Sequence, residues 1–435
     1  MENKDILLLV IIILLNDGIR LGLVNFFIKT WKNAPTIAVF LFTGFFRSPW
    51  LIAGLYESIK NYFTSPIFQK RASKFKTLKR GYFSFLIIVW AYGLSFLLPL
   101  FVNNQAWVVD YEGERYYPIV YEVPKIIPGY DMGQSVPILK SIIDLFPKKV
   151  YYNNQFGLKG ETPVNFRNLQ KEFIKNGGKN KVIMPFYPYN ATESSMEEYE
   201  NASPPTAPDS THYFGTDDRG RDVFARLTYG FNISMSFAIL VTFFSYLIGV
   251  SIGGYLGYFG GVFDIIVQRF VEIWSAIPFL YAIMIVASIL QPSMLLLVFL
   301  LCAFQWMGMT YYIRGEFLRE KSKDYVSAAV SIGVKDNIII FRHILPNALT
   351  PVISFLPFAI VGNISSLVSL DFLGFGLPAP TPSWGELMGQ ATSHLTSPWL
   401  VFAPIGALFV TLMLVSFIGE AVREAFDPKQ YSRLR

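Results

Sequence analysis

The sequence has few charged residues and almost no cysteine or histidine. Only 16% of its 435 residues are charged and 52% are hydrophobic, whereas an ordinary soluble domain has about 25% charged residues. A water-soluble fold of this size would lack the polar surface to cover itself, so the composition indicates an integral membrane protein with some aqueous portion. The formal net charge of +6 is too small, without a basic patch, to indicate a nucleic-acid partner.

Residues that carry metal or nucleotide chemistry are nearly absent. The single cysteine, Cys302, excludes an intrachain disulfide, and we expect it to be a small packed side chain. His212, His343 and His394 are far apart and lack metal-ligand spacing. Neither an HExxH zinc motif nor a GxxxxGKS/T phosphate-binding loop occurs. The sequence therefore predicts no catalytic residue, metal or cofactor site in this chain, and a protein that is not an enzyme.

Long apolar runs, by contrast, are frequent, and six of them reach the roughly 20 residues that a membrane-spanning helix needs. The six are Tyr82–Val102, Phe231–Tyr258, Ile273–Leu290, Met294–Ile313, Ala348–Leu370 and Trp399–Gly419. Asp264, Arg269 and Glu272 precede the third run, and we expect them to form a lead-in on the cytoplasmic side because charge in lipid is costly. The shorter apolar pieces within residues 1–69 are either extra spans or interfacial amphipathic helices.

The positions of lysine and arginine predict the orientation of the spans, because short cytoplasmic loops are enriched in both residues. Residues 70–80 and 314–347 contain six basic residues each, and four more follow Gly419. Residues 291–293 and 371–398 contain none. With six spans, the start of the core and the C-terminus fall on the same side of the membrane, which we predict to be the cytoplasm.

Residues 103–212 contain no spanning run and, on this orientation, form an extracytoplasmic α+β insert. We predict strands at Ala106–Tyr111 and Tyr116–Val123 and helices at Ser135–Leu145 and Val164–Lys175. The insert is either a spacer or a surface for docking or for substrate. The other predicted divisions are a membrane-associated extension, 1–69; a basic segment with the first span, 70–102; a five-span core, 213–423; and a tail, 424–435.

The predicted cytoplasmic loop 314–347 has the pattern of two helices joined at a glycine. Small residues at 327–329 permit close approach to another helix. Gly333 is suited to end the first helix at positive φ, and a second short helix would run to Leu345, with Pro346 at the entry to the next span. A face this rich in alanine has too little bulk to form its own core, which favours a partner over an ordinary interhelical loop.

Two further patterns concern the second span. Charged residues alternate with glycine in the stretch His212–Arg226, and we interpret them as a salt-bridged collar that orients a short helix, Asp222–Tyr229, at the membrane surface. Direct contact with a substrate is the alternative. Gly249, Gly253 and Gly257 recur every four residues, which predicts a smooth stripe for close helix packing.

Four ordered motifs resemble those of the permease subunits of ATP-binding cassette (ABC) importers of the OppC/DppC class, which carry oligopeptides, dipeptides or nickel. In chain order they are His212–Arg226 (GTDxxGRDVxxR), Gly257–Pro278 (GYxGGxxD, then Arg and Pro), Ser327–Pro346 (the EAA loop) and Ser369–Gly385 (LxFLGLG, then PxWG). The glutamate that usually precedes the two alanines of the EAA loop is Ser327 here. The long insert, which includes the stretch 111–118, is similar to that of the microcin C/Yej-type subgroup.

The resemblance implies an all-α membrane protein, namely a six-span type I ABC importer permease core with an extracytoplasmic α+β insert and an N-terminal hydrophobic extension. It implies transport of peptides or peptide-like compounds across the cytoplasmic (inner) membrane. The implied partners are a homologous second permease subunit, two ABC ATPase domains that bind ATP, an extracytoplasmic substrate-binding protein and membrane lipid, with no nucleic acid.

The resemblance also implies roles for particular residues. The expected ATPase-coupling residues of the EAA loop are Ser327, Ala328, Ala329, Gly333, Leu345 and Pro346. The residues of the family signature before the second span are Gly215, Thr216, Asp217, Gly220, Arg221 and Asp222. Apart from the resemblance, the fourth span offers candidates for lining a pathway, with packing in the core as the alternative: Gln305, Trp306, Tyr311 and Tyr312.

Other functions are compatible with the same composition. An importer of nickel or another small solute would have this architecture, and a membrane assembly or scaffold protein could use the insert to bind partners. A membrane-embedded enzyme is disfavoured, because no catalytic dyad or metal cluster converges in the spans.

Overall fold

The computed structural model describes residues 64–126, 149–194, 196 and 203–426. The predicted membrane segments before residue 64, the predicted helix Ser135–Leu145 and the last nine residues of the chain lie outside the described residues. The described chain is mostly helical, with one small sheet in the insert.

The elements are numbered here in chain order. The helices are α1 (Pro66–Thr77), α2 (Lys79–Ser95), α3 (Leu98–Phe101), α4 (Phe166–Lys175), α5 (Val223–Phe259), α6 (Gly261–Ser275), α7 (Phe279–Ile289), α8 (Met294–Lys321), α9 (Asp324–Ser331), α10 (Asp336–Ile338), α11 (Leu345–Ala348), α12 (Thr350–Phe372), α13 (Trp384–Ser393) and α14 (Trp399–Phe426). The strands are β1 (Val108–Tyr111), β2 (Glu114–Tyr116) and β3 (Lys181–Ile183). We call the end of the helix bundle that carries residues 103–212 the insert end, and the opposite end, which carries residues 314–347, the loop end.

The predicted spans each correspond to a helix or to a broken helix. Within the described ranges, α5, α8, α12 and α14 are long and apolar enough to cross a membrane, and α6 with α7 forms a bent pair that is either a broken span or a re-entrant loop. The first predicted span is divided into α2, of 17 residues, and the short α3. Pro99 in the first turn of α3 accounts for the division, because proline removes a helical hydrogen bond and clashes with the preceding turn.

The third predicted span, Ile273–Leu290, is not a straight helix. The chain bends by 69° between α6 and α7, and Pro278 stands immediately before α7. Proline disfavours helical geometry in the residue before it, so the helix ends ahead of the proline and starts again after it. The charged lead-in residues Asp264, Arg269 and Glu272 belong to α6.

The predicted short helix at Asp222–Tyr229 is wrong, because those residues form the first turns of the much longer α5. The Asp222 side chain caps α5 by accepting a hydrogen bond from the backbone N–H of Ala225, 2.7 Å away. The helix then continues for 37 residues, or about 55 Å at 1.5 Å per residue. It is therefore longer than the roughly 30 Å hydrocarbon layer of a bilayer and extends beyond it.

The insert contains a three-stranded antiparallel sheet with the order β2-β1-β3. Val109 and Val182 pair across the sheet and are buried beneath Leu169 and Phe173 of α4. The predicted helix Val164–Lys175 is confirmed as α4. The predicted strand Tyr116–Val123 is wrong beyond Tyr116: a 3₁₀ helix, Pro118–Ile126, follows, and proline cannot donate to a sheet ladder. Strand β3 is only three residues long, too short for an alternating pattern to be recognised in the sequence.

The helix bundle is built around the contact between α5 and α8. A Cβ atom added at Gly249, Gly253 or Gly257 would lie 2.6 to 2.7 Å from a backbone oxygen of α8, belonging to Trp306, Thr310 or Arg314 respectively. The two backbones therefore touch along three successive turns. Side chains cannot be accommodated there, so van der Waals contact between backbones holds the pair together.

Gly253→Val tests this contact, with Gly308→Val on the facing helix as the matched control. The new side chain at 253 meets the Thr310 carbonyl, whereas a Cβ at Gly308 would have no neighbour within 4 Å. Overpacking of this kind costs about 1–3 kcal/mol. We expect Gly253→Val to lower the apparent melting temperature in detergent and Gly308→Val to leave it nearly unchanged. Equal melting temperatures for the two variants would show that the α5–α8 contact is not this close.

Candidate functional site

The loop end carries a helical hairpin whose turn is formed by Gly333. Helix α9 ends at Ser331, and Gly333 has φ +76°. The N–H of Gly333 donates to the Val330 carbonyl at 3.0 Å, and the N–H of Val334 donates to the Ala329 carbonyl at 3.1 Å. This pair of bonds is a Schellman motif, which satisfies the last carbonyls of the helix and needs a residue that tolerates positive φ.

The two faces of α9 have different environments. Val326 and Ala329 are buried against Ile339, Ile340 and Phe341 of the second arm. Ser327 and Ala328 are exposed. Of the three small residues, Ala329 thus contacts the second arm, whereas Ser327 and Ala328 lie on the exposed face. The hairpin therefore has a small core of its own, and the expectation that its alanine content leaves too little bulk for one was wrong.

The free face of the hairpin is apolar at its tip. Ile332 is 80% exposed and Val330 is 55% exposed. In the sequence, both residues lie between Ser327-Ala328 and Gly333. The second arm contains a π-helical segment, Ile339–Ile344, and then α11, in which Leu345 is buried and Pro346 occupies the first turn. Pro346 thus lies in the first turn of α11, directly after the π-helical segment.

Polar contacts at the loop end join the hairpin to α5, and α5 and α6 to α8. The Tyr258 hydroxyl at the end of α5 donates to Asp336 Oδ1 at 2.5 Å. Lys321 at the end of α8 donates to the Tyr258 carbonyl at 2.5 Å. Two turns further into α8 from the loop end, the Arg314 guanidinium forms two hydrogen bonds, of 2.7 and 2.6 Å, to the carboxylate of Asp264 in α6. The hairpin is therefore bonded to α5, and α5 and α6 are each bonded to α8.

The insert end carries a buried cluster of ion pairs. Arg221 donates from Nε to Asp217 Oδ2 at 2.7 Å and from a terminal nitrogen to Glu386 Oε1 at 3.0 Å. Arg226 pairs with Glu386 Oε2, and its Nε lies 3.5 Å from Asp217 Oδ2. Asp217 and Arg226 are completely buried, whereas the neighbouring Arg219 has a side chain that is 54% exposed. The cluster joins the segment before α5, the first turn of α5 and the start of α13.

Burial and neighbouring charges shift the pKa values of two residues at this cluster, Arg221 and Asp218. Burial by itself would lower the pKa of Arg221, but the charges of Asp217 and Glu386 and their hydrogen bonds raise it above its usual value. Burial, followed by the charge of Asp217, raises the pKa of Asp218.

A second buried group surrounds Asp222. Its Oδ2 accepts a hydrogen bond from the Tyr187 hydroxyl at 2.6 Å, and His212 Nδ1 lies 2.6 Å from the same oxygen. Burial and then the charge of Asp222 raise the pKa of Tyr187, so the phenol stays neutral and acts as a donor. Tyr187 follows β3, so this group ties the insert to the start of α5.

The remaining signature residues shape the backbone of this segment. Gly215 has φ +69°, and a Cβ there would lie 2.4 Å from the Thr206 carbonyl oxygen, so only glycine fits. The Thr216 hydroxyl accepts from the Thr206 N–H at 2.9 Å. Gly220 also has positive φ and closes the turn in which Asp217 Oδ1 accepts the N–H groups of residues 219 and 221. All six signature residues therefore lie in one compact turn structure.

The sequence interpretation missed Glu386, which is the acidic partner of two arginines. It comes from α13, 160 residues after Arg226 in the chain. Its only local signal is its position directly after the Trp384-Gly385 pair of the fourth motif. Trp384 is buried and donates from Nε1 to the Leu227 carbonyl of α5 at 3.0 Å, which brings Glu386 to the cluster.

The predicted lining residues are not brought together. Trp306 is buried, Tyr311 and Tyr312 are exposed, and Gln305 is half-buried. A groove of about 320 Å³ instead runs between α5 and α12, where Thr242, Tyr246 and Ser251 are the polar lining residues. In the part of the chain that the structure describes, no three His, Cys, Asp or Glu side chains are placed to hold a metal ion.

Comparison with known proteins identifies the family. Residues 249–430 match the family described as binding-protein-dependent transport system inner membrane component. The chain is 36% identical over 370 residues to the peptidoglycan transport system permease protein YejE of Agrobacterium fabrum, which covers 85% of this chain and 95% of the relative. It is 37% identical over 366 residues to the inner membrane ABC transporter permease protein YejE of Escherichia coli, covering 84% and 98%.

A more distant relative is the oligopeptide transport system permease protein OppC of Haemophilus influenzae, at 35% identity over 245 residues, or 56% of this chain and 78% of the relative. The chain belongs to the family of permease subunits of ABC importers, whose members are transport components and not enzymes. Among these relatives it is similar to the Yej-type permeases over most of its length, insert included. The resemblance drawn from the four motifs is confirmed, as are the fold class and a multi-pass location in the inner membrane.

Glu386→Gln tests the ion-pair cluster, with Arg219→Ala as the control. The first change leaves Arg221 and Arg226 with a single carboxylate between them, and breaking a buried pair costs about 3–5 kcal/mol. The exposed pairing of Arg219 is worth at most about 1 kcal/mol. We expect a large fall in the melting temperature in detergent for Glu386→Gln and a small one for Arg219→Ala.

Adding Arg226→Gln to Glu386→Gln should recover part of the lost stability, because it removes a buried charge that has lost its partner. Strictly additive losses in the double variant would contradict a direct interaction between the two side chains.

Proposed function

We propose that this chain is the permease subunit through which peptides or peptide-like compounds cross the inner membrane. Separate ATPase subunits would bind ATP, drive the transport and dock on the hairpin of the loop 314–347. The observation that carries the proposal is the hairpin itself: one face is anchored in the chain's own core and the opposite face is apolar and free. The printed names of the relatives, which refer to peptidoglycan, oligopeptide and inner-membrane ABC transport, support the cargo class.

The free face of the hairpin has the properties of a docking surface for a protein. Exposed apolar area costs roughly 25 cal/mol per Å² relative to burial, so Ile332 and Val330 favour contact with a partner. The small residues Ser327 and Ala328 beside them allow that partner to approach the helix backbone. Ala329, Leu345 and Pro346 would act indirectly, by holding the two arms together.

Motion of the docked ATPase would reach the spans through the contacts of the loop end. Asp336 is bonded to Tyr258, and Lys321 holds the carbonyl of the same tyrosine. The bidentate Arg314–Asp264 pair links α8 to α6. We propose that these contacts turn a movement of the hairpin into a movement of α5, α6 and α8.

The complete transporter would contain more than this chain. We propose a homologous second permease, two ABC ATPase domains and an extracytoplasmic binding protein as partners. The outward faces of α6 and α7 are broadly apolar, for example at Ile266, Ile273 and Tyr281, and suit contact with the second permease or with lipid. The chain would bind no nucleotide or metal cofactor itself.

The proposed orientation places the loop end in the cytoplasm and the insert outside. Lys79 and Arg80 at the start of α2 and Lys321 and Lys323 beside the hairpin are at the same end, in agreement with the enrichment of basic residues on the cytoplasmic side. We keep the proposed division into an insert, 103–212, and a five-span core, 213–423. The two would be firmly joined, because His212 and Tyr187 bind Asp222.

For the cluster at the insert end we propose a structural role. Asp217 and Arg226 are completely buried. Asp217 pairs with Arg221 and Arg226, and Arg226 also pairs with Glu386. Neither side chain therefore offers a surface to a substrate. The cluster would instead hold the start of α13 against the first turn of α5 during the transport cycle.

Gly333→Pro, compared with Gly333→Asn, tests the transport assignment and the role of the hairpin. Proline requires φ near −65° and loses the N–H that bonds to Val330, whereas asparagine tolerates the positive φ of this position. In proteoliposomes with the partner subunits, we expect vanadate-sensitive uptake of a labelled oligopeptide by wild type and Gly333→Asn. Gly333→Pro should reach the membrane but take up no peptide.

Three outcomes would contradict the proposal. Normal peptide uptake by Gly333→Pro would rule out coupling through the hairpin. Uptake of nickel without peptide would favour the small-solute importer, and a stable complex that never stimulates the ATPase would favour a scaffold.

Tyr258→Phe, with Tyr255→Phe as the control, tests the path from the hairpin to α5. The first change removes the hydroxyl that bonds to Asp336 and keeps the ring and the Lys321 contacts. The Tyr255 hydroxyl is 3.5 Å from Asn337, at the limit of a hydrogen bond. We expect Tyr258→Phe to hydrolyse ATP but to take up several-fold less peptide per ATP, with Tyr255→Phe close to wild type. An unchanged amount of peptide per ATP in Tyr258→Phe would show that the Tyr258–Asp336 bond is not needed for coupling.

A further inference from the structure

An aromatic cluster stands at the insert end of the first span. Phe101 is the last residue of α3, Trp107 precedes β1, and Phe186 lies in the segment after β3. The Phe101 and Phe186 rings stack with centroids 5.8 Å apart, and Trp107 meets Phe186 edge-on at 5.2 Å. Although the three rings pack on one another, Phe186 remains 80% exposed and Phe101 38% exposed.

The cluster is held rigidly by the backbone. The N–H of Tyr187 donates to the Phe101 carbonyl at 3.0 Å, and the N–H of Trp107 donates to the Ile183 carbonyl at 2.8 Å. The indole N–H of Trp107 is itself bonded to the Leu100 carbonyl at 2.6 Å. The exposed rings are thus part of an ordered edge of the insert. We call Phe101, Trp107, Ile183 and Phe186 the aromatic edge.

The length of the first span gives the depth of this edge. Lys79 begins α2, whose 17 residues rise about 26 Å at 1.5 Å per residue, and Phe101 lies six residues beyond its end, in the short α3. The hydrocarbon layer of a bilayer is about 30 Å thick. With the charged Lys79 at one surface of the membrane, Phe101 and the rings stacked on it lie at the opposite boundary between hydrocarbon and headgroups.

The edge continues an apolar stripe on the span itself. Helix α2 exposes Phe83, Ile87, Trp90 and Leu94, spaced four, three and four residues apart and therefore on one helix face. This stripe runs toward α3, where Phe101 begins the aromatic edge. The apolar surface is thus continuous from the middle of the membrane to the insert.

The outer face of the sheet changes from apolar to charged in the direction away from the span. Val108 and Ile183 pair across β1 and β3 next to the aromatic rings. The next pair on that face is Asp110 with Lys181, and Asp110 also bonds to Arg115 at 3.0 Å. The surface of the sheet changes from apolar to charged over two residues, or about 7 Å. The surroundings at a membrane interface likewise change from apolar to polar along the membrane normal.

We propose that the aromatic edge is seated in the interfacial layer of the lipid bilayer on the insert side and pins the insert to the membrane surface beside the first span. Trp is enriched in this layer, and Phe is common on the apolar faces that interfacial helices bury there. The occupant is phospholipid and not a protein, because the surface is graded along the membrane normal and continuous with a span. The inference does not depend on the cargo, the coupling loop or the choice of cytoplasmic side.

Spin labelling tests the proposal in the complete complex. Cys302 is the only cysteine, so Cys302→Ala provides a background in which a nitroxide can be attached at Phe186→Cys. In nanodiscs, the label's collision rates with oxygen, which partitions into lipid, and with a water-soluble nickel chelate are compared. Trp90→Cys, 67% exposed on α2, is the lipid control, and Ile174→Cys, 70% exposed on α4, is the aqueous control.

We expect the oxygen-to-chelate ratio at Phe186 to lie between those at Trp90 and Ile174 and to exceed that at Ile174 several-fold. The ratio should fall in the order Phe186, Ile183, Lys181 along the polarity gradient. A label at Phe186 that meets the chelate as often as one at Ile174 would place the edge in water, and a label shielded from both reagents would place it under another protein. Either result overturns the proposal.

A second measurement needs no label. Brominated phospholipids should quench the fluorescence of the wild-type complex more than that of Trp107→Phe, because Trp107 would lie within reach of the lipid. Identical fractional quenching in the two complexes would also overturn the proposal.

Discussion

The close contact between α5 and α8 is the constraint on which the rest of the structure depends. Lipid is as apolar as the helices, so no hydrophobic force brings them together, and packing must do so. Gly249, Gly253 and Gly257 allow the two backbones to touch. Helix α5 extends beyond the hydrocarbon layer. Its two ends, which belong to one continuous helix, therefore carry the hairpin contact and the ion-pair cluster.

The charges of the core are distributed according to the cost of placing them in lipid. Ion pairs that join different elements lie toward the two ends: Asp264–Arg314 at the loop end, and Arg221 and Arg226 with Glu386 at the insert end. Farther along the bundle, α5 and α12 are joined by a neutral hydrogen bond, from Asn363 to Thr242 at 2.9 Å. Charged groups thus stay where water is near, and they position the parts that would meet the partners.

The agreement between sequence and structure is best where a property is local to the chain. Apolar length predicts the spans, and the glycine at 333 predicts a turn with positive φ. Failures occur where a neighbour decides. The predicted short helix at Asp222–Tyr229 is the start of a 37-residue helix, because the apolar residues that follow continue it without a break. Glu386 was missed because its partners are about 160 residues away.

The sequence by itself determined the membrane class, the family and the glycine positions, because composition, apolar length and short motifs are read along the chain. Only the tertiary structure decided that Ala329 is buried while Ala328 is free, that Arg226 pairs with Glu386, and that Phe101, Trp107 and Phe186 form one edge. These facts depend on how distant segments pack, and a linear pattern contains no measure of the distance between them.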